Sequence, residues 1–329
     1  MKNTLLQLQK KVFNLQNTAN FEAVALEVFR FHLSYNPLYR QFAEHLNRTN
    51  VECISDIPFL PIELFKAQQI LITGVEPLDF FQSSGTTGIT TSKHYIADFD
   101  IYETSFSQGF RHFFGDVRQY RILALLPNYL EQQRSSLVYM VAHLIQQSQN
   151  ADSGFYLHDH NLLIDKLLHS PSTVKTLLLG VSYALLDIIE QQPLQLQDTL
   201  VMETGGMKGR RQEMSKDALH QILKQGFGVD RIYSEYGMTE LFSQAYSLRD
   251  GIYACPPWMR VCTRSLTDPL QPEKEGVTGA INILDLANLY SCPFIATQDL
   301  GKVYSNGTFH VLGRIEGSDL RGCNMLVEN

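Results

Sequence analysis

Most residues of this sequence that could act on a nucleotide lie in four polar segments, each beside an apolar run. They are Gln82-Ser83-Ser84-Gly85-Thr86-Thr87-Gly88 with Lys93 beyond it, Ser234-Glu235-Tyr236-Gly237-Met238-Thr239-Glu240, Thr297-Gln298-Asp299-Leu300-Gly301, and Leu312-Gly313-Arg314. The stretch Ser83, Ser84, Gly85, Thr86, Thr87 and Gly88 offers hydroxyls and consecutive backbone N–H groups, which suit a polyphosphate. It lacks the Gly-Lys-Ser/Thr ending of the common P-loop, and the same residues also suit an ordinary turn. Lys93 follows closely enough to add a point charge for phosphate. At Thr239-Glu240 a hydroxyl stands beside a carboxylate, a donor pair for a magnesium ion that also holds phosphate oxygens; a polar turn is the plainer reading. Tyr236 is placed to stack on a base. Gly205-Gly206 follows an apolar run and allows backbone to approach a flat ligand such as adenine. Lys208, Arg210 and Arg211 behind it read equally as a solvated basic helix start. An ionised Asp299 can accept both ribose hydroxyls, and Arg314 can add charge to the ribose or α-phosphate region. Taken separately, these two residues read as a structural ion pair or as exposed charges. Taken as an ordered set, the segments point to a nucleotide.

The elements that must position these residues alternate. Amphipathic stripes at Leu5, Leu8, Val12 and at Phe21, Val24, Val28 predict helices over the first 50 or so residues, and Pro58 and Pro61 mark an extended connector. A strand at 78–81 enters the first loop. Asp100 is the expected N-cap of a helix over 101–114, and Ser135 of one running to about Gln149. Ile122–Leu126 reads as a buried strand, and Thr176–Gly180 and Thr199–Met202 as further strands, each followed by a helix. Such alternation predicts an α/β fold of right-handed βαβ units and mainly parallel sheet. After Tyr236 the pattern changes to short strands joined by turns, among them a hairpin at Asn306-Gly307. The expected domains are a helical cap over 1–55, an α/β body with a β-rich end over 56–314, and a short tail over 315–329.

Bulk properties exclude several classes. A net charge of −7 argues against nonspecific nucleic-acid binding, which needs a basic face. No apolar run reaches the ~20 residues of a membrane span. The N-terminal residues lack a secretory signal core. Five cysteines, an odd number, fit reduced thiols in a cytoplasmic protein. His158-Asp159-His160, read on a strand, would point to alternate faces and so make a poor metal site. Cys255, Cys262 and Cys292 have an unusual spacing for zinc and read better as buried thiols.

Longer segments carry a family resemblance. The four loops in their order are similar to those of adenylate-forming enzymes. The segments 125–131, Met202–Arg211, Cys255-Pro256-Pro257-Trp258-Met259 and Asp319-Leu320-Arg321-Gly322-Cys323-Asn324 resemble the acyl-protein synthetases, the synthetase component of fatty acid reductases. The resemblance runs from about Pro58 onward. It implies that ATP and a fatty acid give acyl-AMP, that a cysteine then takes the acyl group as a thioester, and that a companion acyl reductase removes it. Lys93, Glu240, Arg314 and Cys323 are the catalytic candidates, with magnesium at Glu240 and Thr239. Cys323 is favoured because Arg321 would lower its pKa and Gly322 leaves room for approach, although a packed, inert cysteine accounts for it too. The wider superfamily places a small lysine-bearing domain after the residue corresponding to Arg314. This chain ends soon after it, so that domain is expected to be lacking. The alternatives are a carboxylate–CoA ligase and a catalytically silent nucleotide- or acyl-binding subunit.

Overall fold

A computed structural model of the protein describes residues 1–15, 20–83, 91–127, 132–169, 174–205, 211–212 and 214–315. Ser84–Gly88, Gly206, Lys208, Arg210, Arg321 and Cys323 lie outside the described residues.

Three helices open the chain, α1 (Lys2–Phe13), α2 (Phe21–Tyr35) and α3 (Pro37–His45). α3 begins where the Asn36 side chain accepts the Tyr39 N–H and Pro37 supplies a first residue that needs no donor. Short elements follow: β1 (Leu60–Pro61), α4 (Leu64–Ala67), and the hairpin strands β2 (Asp79–Gln82) and β3 (Lys93–Ile96). The alternating body comprises α5 (Phe99–Phe114), β4 (Tyr120–Leu125), α6 (Ser136–Ser148), β5 (Gly154–Phe155), α7 (His160–Leu168), β6 (Lys175–Val181), α8 (Ser182–Gln191), β7 (Thr199–Thr204), α9 (Lys216–Phe227) and β8 (Tyr233–Tyr236). The β-rich end comprises β9 (Ala245–Ser247), β10 (Ile252–Ala254), β11 (Met259–Arg264), β12 (Gly279–Asp285), β13 (Phe294–Val303) and β14 (Phe309–Arg314).

Side-chain caps set the helix starts. Ser135, Asp159 and Ser215 each accept a backbone N–H of the first turn of α6, α7 and α9. Asp159 is therefore a cap on a turn, not a strand residue as the sequence suggested. α5 is capped by Asp98, which accepts the Asp100 N–H, so it starts slightly before the expected position.

Twelve of the strands form one sheet in the order β11-β12-β13-β14-β10-β9-β8-β7-β6-β4-β5, with β1 beside β13. Strands β5, β4, β6, β7 and β8 run parallel to one another. All of β4 is buried, and so is β6 apart from its first residue, as expected for parallel strands covered on both faces. The direction reverses at β8–β9, and the remaining neighbours on the path are antiparallel. The β-rich end thus continues the sheet of the body. The N-terminal helices share its core: Phe29 meets Phe294 edge-on, and Tyr39 donates to the Pro58 carbonyl at 2.7 Å. No helix among the described residues is long and apolar enough to cross a membrane.

Candidate functional site

The β2–β3 hairpin carries the first predicted loop. Its last pair is Gln82 opposite Lys93, which places Lys93 at the neck of the loop. Two bonds join Ser83 and Ser92 there: the Ser83 N–H donates to the Ser92 carbonyl at 3.1 Å, and Ser83 Oγ accepts the Ser92 N–H at 3.0 Å. Lys93 is exposed, with Nζ 4.9 Å from the Phe80 ring centroid, so its charge is held at the neck without being neutralised by the ring.

A buried latch joins this hairpin to the end of β8. His94 lies with one ring nitrogen 2.8 Å from the Thr239 carbonyl and the other 3.1 Å from Asn288 Oδ1. Asn288 in turn donates to the Glu240 carbonyl at 3.0 Å. Burial between the Phe65 and Phe242 rings outweighs both hydrogen bonds and lowers the His94 pKa to about 4, so the ring is neutral at physiological pH. Glu240 is itself buried. Its carboxyl is pushed up by desolvation and pulled back by a hydrogen bond from Ser92 and by the charges of Arg314 and Lys66.

Asp299, Tyr236 and Arg314 form the second part. Tyr236 Oη donates to Asp299 Oδ2 at 2.7 Å, and Arg314 Nε lies 3.6 Å from Oδ1. Asp299 and Arg314 stand directly opposite each other in the β13–β14 ladder, so their side chains share a face. Burial raises the Asp299 carboxyl, while Tyr236 and Arg314 favour its ionised form. A carboxylate has about four acceptor positions, so these contacts leave room for two hydroxyl donors. The Tyr236 ring packs edge-on against Tyr253 and Phe309. Gly237 lies against the Glu235 side chain, where an added Cβ would fall 2.5 Å from Oε1.

Gly205, with φ +65°, ends β7 beside the end of β8, where Thr204 pairs with Glu235. Contacts thus connect the hairpin residue His94 with Thr239, Tyr236 with Asp299, and the ends of β7 and β8 with each other. Arg314, whose charge reaches both Glu240 and Asp299, links the two parts. Arg211 stands apart, paired with Asp187 and Glu190.

Beneath this end lies a buried polar layer that sequence reasoning missed. Glu203 of β7 accepts from Lys216 Nζ at 2.6 Å, from Ser182 Oγ at 3.3 Å, and lies 3.4 Å from His220 Nε2. Burial pushes Glu203 up, but His220, Lys216 and Ser234 together outweigh it and bring the carboxyl down to about 2. Among the described residues, neighbouring Glu235 has the Thr204 hydroxyl as its one close donor; burial dominates and raises it to about 7. The usable signal was two glutamates on strands otherwise destined for the interior, because a buried carboxylate needs partners. Lys66 beside Glu240 was missed as well.

Among the described residues no group of three or more His, Cys, Asp or Glu is arranged to hold a metal ion. Magnesium needs no such group, and the Glu240 carboxylate is one donor of the kind it uses. Such an ion is commonly held by one or two carboxylates and completes its shell from phosphate and water. A cation there would also offset the desolvation of Glu240. Burial pushes the thiols of Cys255, Cys262 and Cys292 up to about 12, which makes them poor metal ligands and poor nucleophiles.

No protein-family model and no curated protein matches the sequence. Solved structures do resemble the fold. A 2-hydroxyisobutyryl-CoA ligase, solved with 2-HIB-AMP and CoA, superposes with a TM-score of 0.61 at 12% identity, covering 95% of this chain and 79% of that one. ATP-bound MatB from Rhodopseudomonas palustris gives 0.55 at 16% identity over 71% of this chain and 47% of that one. The long-chain-fatty-acid-CoA ligase FadD1 from Archaeoglobus fulgidus gives 0.52 at 15%, over 72% and 51%. The chain spans about half the length of MatB and FadD1. At such identities the likeness speaks for architecture, since one fold hosts many activities. The chain has the α/β fold seen in adenylate-forming acid–CoA ligases.

Proposed function

We propose that this protein activates a carboxylic acid, a fatty acid by its sequence resemblance, as acyl-AMP and then transfers the acyl group to Cys323 for a partner acyl reductase. The observation that supports the first step is the bonding of Tyr236 and Arg314 to Asp299, with the Arg314 charge also felt by Glu240, in a fold that holds ATP in MatB. In this reading a carboxylate oxygen of the acid attacks the α-phosphorus, and the bond to pyrophosphate breaks. Asp299 accepts the ribose hydroxyls, positioned by Tyr236. Gly205 and Gly206 let backbone lie against the adenine. Lys93 and the stretch from Ser83 to Gly88 (Ser84, Gly85, Thr86 and Thr87 between them) neutralise the departing pyrophosphate. Magnesium at Glu240 and Thr239 would supply further charge neutralisation. Arg314 bridges the ribose and metal ends. Gly237 keeps the turn after Tyr236 narrow.

In the second step the Cys323 thiolate attacks the acyl carbon, a carbon–sulfur bond forms, and AMP leaves with the bonding electrons. A carboxylate–CoA ligase is the second reading, favoured by the CoA and 2-HIB-AMP present together in the 2-hydroxyisobutyryl-CoA ligase structure. Acid-dependent exchange of labelled pyrophosphate into ATP, measured over a panel of acids, tests activation. Absence of exchange with every acid, with and without an acyl reductase, would refute it. Hydroxylamine-labile label from a radioactive acid that persists on the Cys323→Ser variant would move the acceptor elsewhere.

A further inference from the structure

A cavity of about 600 Å³ lies on the other face of the β-rich sheet, beneath α3. Its floor follows from the strand register. Arg260 and Cys262 of β11 stand opposite Leu284 and Asn282 of β12, Asn282 stands opposite Ala296 of β13, and Ala296 pairs with Pro61 of β1. The β12–β13 ladder is irregular just after Ala296, so contacts assign the sides: Ala296 lines the cavity, and Asp299, Tyr236 and Arg314 do not. The bond from Gln298 to Glu63, a residue of the cavity wall, sets Gln298 on the cavity side. The cavity is thus separate from the group around Asp299.

Its volume falls within the ~300–1,000 Å³ typical of small-molecule sites. Phe42, Leu46, Ile54, Ile57, Phe59 and Leu284 make most of the wall apolar. Three guanidinium groups also reach it, beside the acidic residues Glu63, Asp268 and Glu273, and two of the three guanidinium groups are already occupied. Arg264 donates to the Ile281 and Thr297 carbonyls and to Asn282 Oδ1, and Arg48 pairs with Asp56. Arg260 differs. It lies over the Phe21 ring at 4.2 Å and has no side-chain hydrogen bond or ion pair among the described residues, only longer-range interactions with Glu22, Cys262 and Cys255. A half-buried guanidinium facing an apolar cavity is costly to leave unpaired, and an anion would satisfy it.

We propose that this cavity is a second ligand site, taking a single-chain amphiphile whose anionic head pairs with Arg260 and whose hydrocarbon chain lies along the apolar wall. The site does not depend on the adenylation reading, and it is tested without ATP. A Phe42→Trp reporter places an indole at the cavity wall, and its fluorescence is followed during titration with dodecanoate, dodecyl phosphate or dodecanol. Saturable responses are expected to both anions, with dodecanol weaker by tenfold or more. Adding Arg260→Met should weaken the anions by about tenfold or more, the scale of one charge-assisted hydrogen bond, and leave dodecanol unchanged; Arg260→Lys should restore much of the loss. A better response to one anion identifies the natural head group as carboxylate or phosphate. Equal binding of dodecanol, or anion binding indifferent to Arg260→Met in a variant with unaltered circular dichroism, overturns the assignment. So does the absence of a saturable response together with no binding of labelled dodecanoate to the unsubstituted protein in equilibrium dialysis.

Discussion

Glu235 allows a quantitative test of the buried layer beneath the proposed site. It is buried; burial, with the nearby charge of Glu203, raises its carboxyl from the ordinary 4.5 to about 7 against the opposing Thr204 hydrogen bond and Lys216 charge. The folded protein therefore binds more protons than the unfolded chain between those two values. Stability falls as pH rises through that window: Glu235 imposes no penalty below 4.5 and its full penalty above 7. At about 1.4 kcal/mol per pH unit the penalty is about 3 kcal/mol. Glu235→Gln keeps an acceptor for Thr204 and nearly the same shape, but cannot ionise. It should exceed the parent protein by only about 1 kcal/mol at pH 5 and by about 3 kcal/mol at pH 8. Urea unfolding followed by the fluorescence of Trp258, the single tryptophan, measures both. Because every other titrating group is common to the two proteins, the difference between the two pH values isolates Glu235. A stability gap that does not change with pH would refute the reasoning, and a gap that narrows at pH 8 would reverse its sign.

Glu203 should behave in the opposite way. Its carboxyl is held down at about 2, so its contribution is present above 4.5 and lost as pH falls toward 2. Glu203→Gln leaves Lys216 without its counter-charge and should cost about 3–5 kcal/mol at neutral pH, by the same urea measurement, with the cost shrinking in acid. Gly226→Ala tests the approach of α9 to α8, since the new Cβ would fall 2.6 Å from Ile189 Cβ. A loss of about 1–3 kcal/mol is expected, and an unchanged urea midpoint would show that the helices can separate freely. Under the proposed function, Asp299→Asn should lower kcat/KM for ATP in pyrophosphate exchange by roughly tenfold to a hundredfold, an effect that normal exchange kinetics would rule out.

Where hydrophobic pattern and local capping decide the structure, it could be read in advance. The apolar runs of β4, β6 and β7 announce themselves, and Ser135 caps α6 as a serine before a periodic apolar stretch should. What escaped was decided by distant partners. Arg121 is fully buried in β4 because the Lys166 carbonyl and the Thr176 hydroxyl accept from it, and neither is near it in sequence. Glu203 and Glu235 are tolerated for a similar reason. The pairing of Asp299 with Arg314 shows the limit most clearly. The Asn306-Gly307 turn predicts a hairpin, and Val303 indeed pairs with Phe309, Lys302 with His310 and Gly301 with Val311. Continuing that register would set Asp299 opposite Gly313. A bulge between Leu300 and Gly301 shifts the ladder by one residue and brings Arg314 opposite Asp299 instead. Gly301 permits it, since a Cβ there would lie 2.5 Å from the His310 carbonyl. A one-residue slip carries a side chain to the other face of a sheet. Whether a cation faces Asp299 therefore depends on a backbone irregularity whose sequence marks are two glycines among 21, Gly301 and the positive-φ Gly313.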